Sequence, residues 1–204
     1  MPLRLTAPLP SLRASLYLRW SRAKTSRATT TIHNLQKKSE RMITKVYHGS
    51  TVCVSEPRLL PLTRRLDFGA GFYTTSDLDQ ARRWACIKKR RKMDSQALVS
   101  IYDCSAIFKA DSLSIKHFKK ADADWLDFVM AHRMGKEQPD MSYDVICGPV
   151  ANDTLYETLT LYERGILTHS ETIVRLKTHK LADRIVFATA TALSLLKYEG
   201  CEEV

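Results

Sequence analysis

From residue 43 onward, apolar and polar positions fall into short blocks that switch between two periods. Lys45-Val46-Tyr47 reads as a short strand, and Phe72 to Thr75 as a second. Ser76 or Asp77 then caps a helix over about Leu78 to Arg91, with Ser76 and Asp79 spaced as a capping box. Leu78, Ala81, Trp84, Ala85 and Ile87 form its inner face. Ala97 to Tyr102 is strand-like. A helix over about Asp122 to Met134 stops at Gly135. Tyr143 to Cys147 reads as a buried strand ending at Gly148-Pro149. Asn152 or Asp153 caps the next helix, which stops near Gly165. Thr168 and Glu171 make a capping box for a helix reaching about Lys180. Ile185 to Ala188 is a strand, and Thr189 to Lys197 a last helix. Strands and helices mix without a steady β-α-β rhythm, so the expected class is α+β.

Residues 1–41 break from this pattern. They are rich in Arg, Ser, Thr and Leu and show no steady period. Three readings fit them: an organelle transit peptide, a disordered basic tail, or an upstream extension with Met42 as the working start. The last suits the position of Met42 just before the first strand. Arg19 interrupts Leu16-Tyr17-Leu18, which excludes a secretory apolar core. The expected domain is therefore 42–204, a length that suits one core.

Charge changes meaning once this split is made. The formal net charge is +10, from 32 Lys and Arg against 22 acids. Nine of those bases and only Glu40 among the acids lie in residues 1–41. The remaining 23 bases and 21 acids nearly balance. Total charge thus gives little support to general nucleic-acid binding. A basic nucleic-acid binder using residues 1–41 and the run Lys88 to Lys92 stays open as a rival, although that run also complements a helix C-terminus. No apolar run approaches the ~18 residues of a membrane span. Five scattered cysteines without a C-x-x-C pair argue against zinc, and are expected to be reduced and mostly buried, in the cytoplasm.

The candidate chemistry sits in two glycine-bearing segments. Asp67-Phe68-Gly69-Ala70-Gly71-Phe72-Tyr73-Thr74-Thr75 joins a glycine turn to a strand, and the glycines allow positive φ and close backbone approach to a ligand. Upstream, Val46-Tyr47-His48-Gly49-Ser50 ends a strand in a polar residue and glycine. Asp67 is expected to cap the glycine turn through its side chain. Gln80 and Trp84 share one helical face, with Trp84 in the core.

These segments resemble the ADP-ribosyltransferase superfamily, and within it a family of uncharacterised bacterial proteins. The resemblance rests on Tyr47 to Ser50, Asp67 to Thr75, Gln80-Ala81-Arg82-Arg83-Trp84-Ala85, and Asp144 to Asp153, and covers about residues 43 to 199. It implies a split β-sheet core with peripheral helices. It also implies NAD as co-substrate and transfer of ADP-ribose to a macromolecular acceptor, protein or nucleic acid, by a toxin or effector type of domain, with an antitoxin as partner. By resemblance His48 bonds the adenosine ribose, the Gly49 backbone pairs with the nicotinamide carboxamide, Ser50 and Gly71 flank the cofactor, and Tyr73 stacks on nicotinamide. A cationic nicotinamide attracts a phenol face, and one backbone residue supplies the donor and acceptor that a carboxamide needs. Asp144, Asn152 and Asp153 are candidates for the substrate side, with helix capping as the alternative for Asn152 and Asp153.

The third superfamily position departs from the pattern. A late strand usually carries Glu or Gln there, to hold the nicotinamide ribose and offset developing positive charge. This chain has Asp183-Arg184-Ile185-Val186-Phe187, with Arg184 in the slot. A cation ~4 Å from that charge costs roughly 1 kcal/mol at water-like dielectric and ~4 kcal/mol at a protein surface. Three outcomes stay open: Arg184 points inward and handicaps cleavage, it points outward and leaves Asp183 or another acid to serve, or it grips a phosphate. A catalytically degenerate module that binds NAD, nucleotide or protein is the alternative function.

Overall fold

The computed structural model describes residues 43–60, 65–93, 96–136, 142–150, 153–177 and 182–204. Residues 43–204 form one compact unit, and the segment read above as a leader lies outside the described residues. Seven strands and five α-helices are described, in two sheets.

The first sheet has the order β1-β3-β7, from β1 (Lys45–Ser50), β3 (Leu98–Asp103) and β7 (Lys197–Glu203), all antiparallel. The second has the order β2-β6-β5-β4, from β2 (Phe72–Thr74), β6 (Ala182–Phe187), β5 (Val145–Val150) and β4 (Ile115–His117). Only β4 and β5 run parallel. The helices are α1 (Leu78–Lys92), α2 (Ala123–Met134), α3 (Asp153–Glu163), α4 (His169–Leu176) and α5 (Ala190–Ser194).

Side-chain alternation sorts the two sheets into layers. On β6 and β5, Val186 and Ile146 face a cluster with Trp125, Leu126, Leu155, Leu159 and Leu176 from α2, α3 and α4. Their neighbours Ile185, Phe187, Val145 and Cys147 face the other way, toward Val46, Tyr102 and Leu193. That inner cluster glues the two sheets. Behind the first sheet, Val99 packs on Ala81 and Ala85 of α1. Small residues on α1 let helix and strand backbones approach closely, which matters at the site below.

Helix ends follow the sequence signals. Asp77 caps α1 by accepting from the Gln80 amide at 3.1 Å, so it takes the cap rather than Ser76. Asp122 caps α2, which ends in Gly135 at φ 65°. Thr168 and Glu171 form the reciprocal box on α4. Three expectations are corrected. Trp84 is partly exposed, with the Arg91 guanidinium 5.5 Å from its ring centre, so it is not core. Strand β5 runs through Gly148-Pro149 to Val150 instead of ending there. The last helix stops at Ser194, and Lys197 begins a strand that pairs with β3.

Cys53 and Cys201 are disulfide-bonded, which corrects the expectation of wholly reduced cysteines. The bond ties the loop after β1 to β7, across 148 residues of sequence. The same loop is pinned by the Val54 amide donating to Ser100 Oγ, and by the Tyr102 hydroxyl donating to the Val54 carbonyl. Cys86, Cys104 and Cys147 are free thiols. No described helix is long and apolar enough to cross a membrane.

Candidate functional site

Among the described residues, one isolated backbone bridge joins the edges of the two sheets. Tyr47 on β1 and Thr75 beside β2 exchange both backbone hydrogen bonds, at 2.8 and 3.0 Å, and this bridge stands alone. The next antiparallel step would pair Gly49 with Tyr73. Instead the His48 ring intervenes, with Nδ1 2.7 Å from the Tyr73 carbonyl oxygen. Backbone polar groups alternate edges along a strand, so the N–H and C=O of Gly49 point to the same edge as those of Tyr47. They therefore aim into the split between β1 and β2.

A carbonyl can only accept, so Nδ1 of His48 carries the hydrogen and Nε2 is the acceptor. Burial drives the His48 pKa down to about 4, the nearby Lys88 charge adds to this, and the bond to Tyr73 opposes it. The ring is therefore neutral at pH 7. Burial likewise lowers Lys88, to about 8, with Lys92 adding to the effect. The His48 ring stacks on Phe72, centre to centre 4.6 Å.

His48 and Tyr73, both expected at the cofactor, turn their rings to different sides. Phe72 points into the cluster between the sheets, and His48 lies with it. Tyr73 alternates to the opposite side of β2 and packs against the helix-covered cluster. What the two residues share is the strand edge, through the His48–Tyr73 carbonyl bond. Gly49 is bare because α1 crosses it: a Cβ there would lie 2.9 Å from the Ala85 nitrogen and closer still to the Ala81 carbonyl. Gly49 is itself buried, with α1 over its bare face and its peptide edge toward β2. Ser50, next on β1, is buried and pairs with Leu98.

The glycine turn is likewise a packing device. Gly69 takes φ 71°, and a Cβ there would meet His132 Cδ2 at 2.6 Å. Gly71 does not take positive φ, and its bare face is covered by Val186 and by the Phe187 carbonyl, 2.9 Å from a Cβ built there. Packing alone therefore accounts for a glycine at this position. Asp67 does not cap the turn, which is closed by the Gly69 amide donating to the Leu66 carbonyl.

Asp67 is instead the hub of a charge chain that sequence reasoning missed. Arg133 Nη1 lies 3.2 Å from its Oδ1, and Arg184 Nη1 lies 4.0 Å from its Oδ2. Arg133 also reaches Glu163 at 3.4 Å and lies over the Tyr156 ring. The carboxylates of Asp67 and Glu163 raise the Arg133 pKa against its burial. The chain ends at Tyr73: the Arg184 guanidinium sits 5.3 Å from the Tyr73 ring centre, and the Tyr73 hydroxyl donates to the Gly69 carbonyl at 2.7 Å. Arg184 thus points inward and covers the Tyr73 ring. The one signal in the sequence was Arg184 itself. Arg133 has no motif around it.

Asp183 does not serve in place of a catalytic acid. Its carboxylate accepts from Thr75 Oγ1 and from Ser76 N and Oγ, while Gln80 Nε2 donates to its carbonyl at 3.1 Å. Asp144 is also structural: Thr189 Oγ1 donates to it at 2.6 Å, and Ser114 N and Oγ at 2.8 and 3.0 Å. Those bonds, that from Thr189 first, lower its pKa. It ties β5 to α5 and to the entry of β4 rather than facing a substrate. Asn152 lies outside the described residues. Asp153 is the first residue of α3.

Residues 44–198 match a family model described as a protein of unknown function, DUF3990. The chain belongs to that family. No curated protein and no solved structure matches it. For this DUF3990 member the site must therefore be read from its own geometry. That geometry offers a backbone donor and acceptor at Gly49, an imidazole acceptor at His48, and an aromatic ring latched under a guanidinium.

Proposed function

We propose that this DUF3990 protein is ADP-ribosyltransferase-like and binds NAD or a closely related nucleotide along the β1–β2 edge. The observation that carries the reading is the lone Tyr47–Thr75 bridge, beyond which the Gly49 peptide edge points into the split beside His48. A carboxamide pairs with one such edge, and a ribose hydroxyl can donate to a neutral imidazole nitrogen. The two-sheet division with peripheral helices supports the fold half of the reading.

Transfer of ADP-ribose to a macromolecule is weak in the chain as it stands. Arg184 covers Tyr73 and adds charge of the wrong sign for an oxocarbenium-like transition state. The protein therefore acts chiefly as a nucleotide-binding module in the cytoplasm, with protein or nucleic acid as acceptor when it turns over. Calorimetric titration of the full chain with NAD, ADP-ribose and nicotinamide tests this. Saturable binding of NAD that is lost in His48→Gln is expected. No binding of NAD or ADP-ribose at millimolar concentration would overturn the proposal.

A further inference from the structure

A cavity of about 440 Å³ lies where β5 and β6 run out, away from the β1–β2 edge. Its size falls within the roughly 300–1,000 Å³ of ordinary ligand pockets. Phe118, Gly148 and Leu176 give it an apolar floor, and Phe118 and Leu176 are buried in the helix-covered cluster. Gly148 is bare on its core side, where a Cβ would meet both Phe118 and Phe68 at 3.1 Å.

The walls are cationic. Lys119, Lys120, Lys177 and Arg184 line the cavity, and the first three are exposed. One acid, Asp183, lines it too, but its carboxylate is committed to Thr75 and Ser76. Two further acids pair with these cations: Asp122, 4.0 Å from the Lys120 ammonium and already capping α2, and Asp67, 4.0 Å from Arg184 and already paired with Arg133. A concave site in which cations outnumber acids, with low-dielectric walls, focuses its field on an anion. Lysine ammonium and arginine guanidinium groups suit a phosphate.

We propose that this cavity is a binding site for a phosphomonoester carrying a flat apolar group, the class that includes nucleoside monophosphates. The phosphate meets the lysines and Arg184, and the apolar group lies on Phe118 and Leu176. The site shares Arg184 with the β1–β2 reading, but neither His48 nor Gly49 lines it, so a His48 variant tells the two apart.

Phenyl phosphate is the probe, since it carries both halves and nothing of NAD's ribose. Titration of the full chain by calorimetry should give saturable binding tighter than that of inorganic phosphate or of phenol. The double variant Lys119→Gln, Lys120→Gln should weaken it about tenfold, as loss of charge-assisted contacts does. Those lysines are exposed, so an unchanged thermal midpoint is expected. His48→Gln should leave it unchanged. Absence of saturation, binding no tighter than inorganic phosphate, or an unchanged affinity in the lysine variant would overturn the proposal. Loss of binding in His48→Gln would move the ligand to the strand edge and overturn it equally.

Discussion

Replacing Arg184 with Gln should strengthen binding of NAD and leave binding of ADP-ribose unchanged. The guanidinium lies 5.3 Å from the Tyr73 ring centre and 4.0 Å from Asp67. A cationic nicotinamide has two routes to that ring. If Arg184 stays, two positive charges ~4 Å apart repel by ~4 kcal/mol at a protein-surface dielectric. If Arg184 leaves, the cation–π contact is lost, at about 0.5–2 kcal/mol, with up to about 1 kcal/mol for the partly exposed ion pair. Departure is the cheaper route, so the guanidinium opposes nicotinamide stacking by about 1–3 kcal/mol. Its removal should raise NAD affinity roughly tenfold to a hundredfold. Asp67 keeps Arg133 at 3.2 Å in the variant, so no buried charge is orphaned and the thermal midpoint should move little. Calorimetry with NAD and ADP-ribose in parallel isolates the nicotinamide end, and nicotinamide release reports cleavage. Cleavage should rise in Arg184→Gln and further in Arg184→Glu, which restores the charge a ribosyl cation needs. Equal gains for both ligands, or robust wild-type turnover that falls in Arg184→Gln, would refute the reasoning and make Arg184 a phosphate or target clamp.

Other consequences are open to simple measurement. Gly49→Ala should destabilise the domain by several kcal/mol, since the new methyl meets the α1 backbone, which cannot move as a side-chain tip can; an unchanged urea midpoint would mean that α1 does not cross β1 there. His48 has a folded pKa of about 4 against an unfolded 6.5, so the unfolded chain takes up the proton first. Stability should fall as pH drops from about 6.5 to about 4, by up to ~3 kcal/mol, and His48→Gln should remove that slope from pH-dependent unfolding. Cys201→Ser should cost about 2–5 kcal/mol in oxidised protein by lengthening the unfolded chain's reach. Identical melting with and without reductant would show that Cys53 and Cys201 stay as thiols.

The sequence was most legible where a local rule sufficed. Asp77, Thr168 with Glu171, and Gly135 each act within one turn, and each marks its helix end as expected. Legibility failed where the deciding partner was distant. Lys197 reads in sequence as the end of the last helix, yet Lys197 to Glu203 is a strand because β3 offers an edge and Cys53 a sulfur. The short strand β4 has only three residues, too few for a period, and exists because β5 lies beside it. At the site, the motifs located the strand edge but not the directions of the rings. Alternation on β2 sends Phe72 and Tyr73 to opposite sides, and the His48 ring follows Phe72. Asp67 is joined to Arg133 and Arg184, 66 and 117 positions away, with no local signature to reveal it.

A physical consequence follows for what a motif match can carry in this family. Gly49 is bare for the sake of α1, Gly71 for Val186, and Gly148 for Phe118 and Phe68. Gln80 and Asp183 hold α1 to β6, and Asp144 holds β5 to α5. Each of these residues would be needed for the fold even if no ligand ever bound, so their presence speaks to folding before it speaks to chemistry. What folding does not explain is narrower. It does not require an acceptor nitrogen on His48, because stacking on Phe72 and donating to Tyr73 use only the ring and Nδ1. Nor does it require a guanidinium over Tyr73, because Asp67 already has Arg133. The functional question therefore reduces to two groups, His48 Nε2 and the Arg184 guanidinium. On the proposed reading, a family member with Gln in place of Arg184 and His48 retained should bind and cleave NAD, whereas Arg184 retained with His48 lost should do neither.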